Sequence, residues 1–130
     1  MFLKKEKLIK EASVILVLLI YAYLVNWYSG NIGIIPIDSF GFLDTGYSII
    51  KGHLPIRDFW IFTGLLVDYM GAVFIYFFGN NWNSHLAHSS FMNIVATISL
   101  YFFLGEYNFK IQIKTFYCLC FATLCYPLSG

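Results

Sequence analysis

Residues 12–29 read ASVILVLLIYAYLVNWYS and carry no charged side chain. As a helix rising about 1.5 Å per residue they cover about 27 Å, enough to cross a bilayer. The whole chain has the same character: 59% of its 130 residues are hydrophobic and only 12% are charged. Soluble domains are nearer about a quarter charged. The mean hydropathy of +0.71 agrees. The expected class is an all-α, multi-span transmembrane helical bundle. The net charge of +1 gives no general attraction for nucleic acid, so none is expected as a partner.

Lys4, Lys5, Lys7 and Lys10 precede the first run, and Trp27 and Tyr28 close it as an interfacial aromatic belt would. Four lysines before a first span put the N-terminus in the cytoplasm. The residues after the run, NWYSGNIG, lack a small-x-small cleavage site, so the span is read as retained. Further spans are expected at about 61–79, 86–104 and 115–129. Alternation then puts residues 80–85 inside and 105–114 outside, which places Lys110 and Lys114 against the positive-inside bias. The last run ends at Gly130 with no basic stop, and the chain is expected to be the N-terminal part of a longer protein with further C-terminal spans. Cys118, Cys120 and Cys125 lie in one apolar run and read as buried or lipid-facing thiols.

Between the first two runs lies DSFGFLDTGYSIIKGHLPIRDFW, residues 38–60, with most of the charge outside the tail. A short interfacial helix is expected at about 39–51. Asp38 after Pro36 suits an N-cap; Phe40, Leu43, Tyr47 and Ile50 form an apolar stripe; Gly52 and Pro55 end the helix. Asp38 would sit at headgroup level, where a carboxylate can act as a base, hold a metal or simply cap the helix. Arg57 offers a fork of donors suited to phosphate, or else pairs locally with Asp58. Lys51 and His53 add positive charge, or are solvated surface. Asp68 falls about two turns inside the second expected span. A carboxylate there costs about 2.5–3.5 kcal/mol to insert, so it points to a cavity or a partner, to a protonated, hydrogen-bonded side chain, or to a position shallower than these boundaries. In the third span His85, Ser89, Asn93 and Thr97 recur every four residues, a stripe suited to hydrogen bonding between helices. Gly64 and Gly71 would let another helix approach.

Asp38, Gly46, Ile49, Gly52, Pro55, Arg57, Asp58 and Phe59 together resemble the first external loop of GT-C glycosyltransferases. These are multi-span enzymes using polyprenyl-phosphate-linked sugars, such as protein mannosyltransferases and aminoarabinose transferases. Phe78-Gly79 matches a common end of the family's second span, and the likeness covers about residues 12–104. It departs where Ile56 replaces a common Tyr, where Leu65 or Leu66 replaces a proline, and where Ser39 follows Asp38 in place of Glu. The resemblance implies Asp38 as catalytic base or metal-linked acid, Asp58 as a second acidic group, and a divalent cation, Mg or Mn, held by Asp38 and Asp58. It implies a polyprenyl-phosphate-linked sugar as donor, whose phosphate the positive charge of Arg57, Lys51 and His53, as substrate-binding residues, would suit. The expected setting is a membrane lipid environment, the cytoplasmic membrane if the chain is bacterial. Two other classes fit the composition: a non-catalytic small membrane subunit, and a transporter component using Asp68.

Overall fold

Gly64 and Gly79 have φ of +123° and +84°, values that L side chains rarely adopt, and they bracket one apolar helix of 14 residues. The computed structural model describes residues 2–32, 36–61 and 64–124. Its helices are α1 (Phe2–Ser29), α2 (Pro36–Ile50), α3 (Leu65–Phe78), α4 (Trp82–Glu106) and α5 (Ile111–Leu124). Among the described residues there is no strand, only an isolated bridge between Pro55 and Phe59. The all-helical expectation therefore holds.

Two of these helices, Leu8–Ser29 within α1 and α4, are long and apolar enough to cross a membrane. Only 11% and 33% of their apolar windows are buried in the chain. Helices stand at the other two expected spans, but α3 and α5 have 14 residues each. That is about 21 Å, against about 30 Å of hydrocarbon. Phe62, Thr63 and residues 125–129 of those expected spans, Cys125 included, lie outside the described residues.

The chain divides into two compact units. One comprises α1, α4 from Ser90 onward, and α5. Its core is Leu18, Tyr101 and Cys118, with Ala22 and Ala122 fully buried beside them. Asn93, from the expected polar stripe, joins all three helices. Its amide donates to the carbonyls of Ala22 (3.3 Å) and Ala122 (3.0 Å), and its oxygen accepts from Thr97 (3.2 Å). Tyr21 and Thr123 bond at 2.8 Å. Lys10 and Glu11 share a cavity with Gly105 and Ile111. These pairings fix the directions: α4 runs antiparallel to α1, and α5 parallel to it. Residues 105–114 therefore lie at the Lys10 end of this unit, not the opposite end that a four-span alternation expects.

The other unit comprises α2, α3 and α4 up to Ser89. α2 and α3 pack through small residues. A β-carbon at Gly46 would lie 2.7 Å from Ile75 Cδ1 and 3.2 Å from the Ala72 nitrogen. One at Gly71 would lie 2.4 Å from the Phe42 ring. The buried face of α2 is Phe42, Leu43, Thr45 and Gly46. Of the expected stripe only Leu43 is buried, and Phe40, Tyr47 and Ile50 are exposed.

Candidate functional site

The charged stretch folds as a loop whose shape starts at the end of α2. Gly52 N–H donates to the Ile49 carbonyl (2.9 Å) and His53 N–H to that of Ser48 (3.1 Å). With Gly52 at φ +87°, this is a Schellman cap. Beyond it the backbone closes on itself. Asp58 N–H donates to Leu54 O and Ile56 N–H to Phe59 O, both at 2.9 Å.

Asp58 is the hub of that loop. Its Oδ2 accepts from Leu54 N–H at 2.8 Å. Arg57 grips the same carboxylate with two parallel bonds, Nε to Oδ1 at 2.7 Å and Nη2 to Oδ2 at 2.8 Å. The Arg57 side chain nevertheless stays 68% exposed. The Arg57 hydrogen bond, then the Leu54 N–H, lower the Asp58 carboxyl to about pKa 2. Asp58 in turn raises the guanidinium pKa. His53 is exposed, and its charge also favours the Asp58 carboxylate. Ile56, β-branched, is held at φ +72°, a strained conformation that the surrounding bonds maintain. Lys51 Nζ lies 5.2 Å from the centre of the Tyr47 ring.

Asp38 falls in the first turn of α2, which begins two residues before it at Pro36, and not at the N-cap. Its side chain lies outside the description. Asp68 is shallower in its helix than the expected boundaries imply. Because Gly64 starts α3, Asp68 sits in the first turn, where the helix dipole favours a carboxylate. It is fully buried, and the Thr45 hydroxyl donates to its Oδ1 at 2.8 Å. Thr45 and Phe42 were not singled out in the sequence; the spacing of 42, 45, 46 and 49 on one helical face is the signal that would have found them. Phe42 stacks on His88 (4.7 Å between ring centres) and meets His85 edge-on (5.1 Å). Phe74 also meets His88 edge-on, and Trp82 lies tilted against His85. These contacts make the histidines part of an aromatic core.

Of the sequence-predicted residues, Arg57, Asp58 and His53 are brought together, and Lys51 stands at the helix end that opens their loop. Asp68 belongs to the buried α2–α3 seam. Gly71 serves a close approach as expected, whereas Gly64 acts as a helix start with open space around it. Among the described residues, no group of three or more His, Cys, Asp or Glu is placed to hold a metal ion. Asp58 Oδ1 accepts one of the loop's own hydrogen bonds and Oδ2 accepts two. Compared with known proteins, the chain matches no family model, no curated protein and no solved structure.

Proposed function

We propose that the chain carries the first external loop of an integral-membrane, GT-C-type glycosyltransferase that uses a polyprenyl-phosphate-linked sugar. The observation that carries this reading is the clamped loop. It presents an oriented, exposed guanidinium between two apolar helices too short to cross a bilayer. A donor with its tail in lipid and its phosphate at the surface needs a cation at that depth.

The helix directions support a matching topology. Two full-length helices, α1 and α4, separate Lys10 from Gly105, so both ends return to one face. With Lys4, Lys5, Lys7, Lys10, Lys110 and Lys114 all on that face, it is the cytoplasmic one. Residues 30–81 then begin and end on the external face. In this reading the protein is multi-pass, in the cytoplasmic membrane if bacterial.

The chemistry follows from charge. The acceptor hydroxyl attacks the anomeric carbon; its oxygen forms the new bond while the bond from that carbon to the phosphate oxygen breaks. Asp38 takes the hydroxyl proton as general base. The electron pair leaves on the polyprenyl phosphate, stabilised by Arg57 with Lys51 and His53 nearby. Asp58, held near pKa 2, is a poor base at neutral pH and acts as the positioning residue for Arg57.

Binding of polyprenyl phosphate tests the reading. Arg57→Gln is expected to weaken it at least about tenfold, as loss of a charge-assisted bond does, and to leave binding of the uncharged polyprenol unchanged. In membranes carrying the full reading frame, Asp38→Asn is expected to abolish sugar transfer with expression intact. Equal binding of the alcohol and the phosphate, or wild-type turnover in Asp38→Asn, refutes it.

A further inference from the structure

A second charged feature belongs to the other unit. Lys10, Lys110 and Lys114, with Glu11, line a half-open cavity of about 410 Å³ between the start of α1 and the α4–α5 turn. Three ammonium groups face one carboxylate. Among the described residues none of these lysines makes an ion pair, since Arg57–Asp58 is the pair found there. Lys114 is a fixed cation and not a waving surface one: it is 8% exposed, and its Nζ stands 4.1 Å from the centre of the Tyr101 ring. Ile111 and Gln112, the first residues of α5, line the same cavity. The leading N–H groups of a helix lack intrahelical acceptors and add positive potential there.

An apolar groove shares two wall residues with this cavity. Ile111 and Gln112 also line a space of about 370 Å³ whose other walls are Val14, Thr115, Phe116 and Leu119, running between α1 and α5. A cationic hollow sharing walls with an apolar slot is complementary to one kind of molecule, an amphiphile with an anionic head. We propose that this is a binding site for an anionic glycerophospholipid, its phosphate among Lys10, Lys110 and Lys114 and one acyl chain along the groove. A free anion leaves the groove empty, and a zwitterionic lipid brings a cation to a site already rich in them. Basic hollows between helices on the cytoplasmic side are suited to such headgroups. The proposal rests on α1 crossing a bilayer with Lys10 at the cytoplasmic face, and not on sugar transfer.

The test uses the whole chain purified in a neutral detergent. It is titrated with phosphatidylglycerol and with phosphatidylcholine of the same acyl chains, and bound lipid is counted by native mass spectrometry. Phosphatidylglycerol is expected to bind the more tightly. Lys10→Gln/Lys110→Gln, at two exposed positions, is expected to weaken it by about fivefold per lysine, about 25-fold in all, and to leave phosphatidylcholine unchanged. Thr115→Trp, which fills the groove, is expected to weaken phosphatidylglycerol as well, with helicity retained by circular dichroism. The proposal is overturned if the two lipids bind alike, if the double variant keeps the preference, or if inorganic phosphate competes as well as the lipid does. Cysteine labelling from either side of the membrane separates the failures. If Gln112→Cys labels only from the cytoplasmic side and no lipid preference appears, this proposal falls alone. If Gln112→Cys labels from outside, the shared topology falls with it.

Discussion

The substitution Gly71→Ala measures how tightly α2 and α3 are locked together. The new β-carbon would lie 2.4 Å from Phe42 Cζ and 3.0 Å from both Cε atoms. Ordinary carbon contacts are about 3.5–4.0 Å, so the ring must retreat by about an ångström. It has nowhere to go. Phe42 is 7% exposed, lies face-on against His88 and edge-on against His85. Moving all of α2 instead would open the Gly46 contact with Ile75 and Ala72. Overpacking of this kind costs about 1–3 kcal/mol, and the helix gains back about 0.5–1 kcal/mol from replacing glycine. The net expectation is a loss of about 1–2 kcal/mol.

Gly41→Ala is the internal control. It lies in the same region of α2 with nothing within 4 Å of its β-carbon. There only the helix-propensity gain remains, about 0.5–1 kcal/mol of stabilisation. Phe42→Leu in the Gly71→Ala background should relieve the clash, so the double variant is more stable than the sum of its parts by about 1 kcal/mol or more. Thermal unfolding in a neutral detergent, followed by far-ultraviolet circular dichroism, reads all five proteins: wild type, Gly71→Ala, Gly41→Ala, Phe42→Leu and the double variant. A Gly71→Ala protein as stable as wild type, or an additive cycle with Phe42→Leu, would refute the packing account.

Three further substitutions probe other parts. Asn93→Ala removes two buried hydrogen bonds between helices, worth about 0.6 kcal/mol each, and one to Thr97 of its own helix, and should lower stability by about 1–2 kcal/mol in the same unfolding measurement. Asn108 holds φ +57° in the α4–α5 turn, a conformation asparagine tolerates; Asn108→Val should destabilise by about 1–2 kcal/mol, and an unchanged melting curve would contradict it. The Asp58 clamp should depend on acid. Its folded pKa, about 2, lies below the ordinary 3.8, so its contribution is present above about pH 4 and lost as pH falls from there through about 2. Hydrogen exchange at Leu54 N–H, corrected for intrinsic rates, should show protection vanishing across that window, and Asp58→Asn should lack most of it at pH 5.

Local chemistry made the helices legible, and tertiary packing hid their faces. The end of α2 was readable because Gly52 and Pro55 signal it without help from distant residues. Asn93 stood out because an amide in an apolar run needs partners, and it found two carbonyls and a hydroxyl. The buried face of α2 was not readable. Glycine and threonine score poorly as core residues, yet Gly46 and Thr45 are where α3 comes closest, while the more apolar Phe40 and Tyr47 face outward. Arg57 and Asp58 were readable as a pair or as two separate site residues, and spacing alone does not choose. The choice is made by Leu54 N–H, which fixes Asp58 from the other side.

The depth of Asp68 in its helix and the end of the unit at which Lys110 lies both differ from the main expectation. That expectation counted 61–79 as a full crossing. A positive-φ glycine at position 64 starts α3 late, and another at 79 stops it after 14 residues. The late start turns Asp68 from a mid-helix carboxylate into a first-turn one, where the Thr45 hydroxyl donates to its Oδ1. If α3, at 14 residues, is not a crossing, as the proposed topology has it, the lysines of the α4–α5 turn fall on the face that the N-terminal lysines mark. In the proposed topology residues 30–81 begin and end on the external face, and the proposed roles of Asp38 and Arg57 then serve the same lipid-borne phosphate.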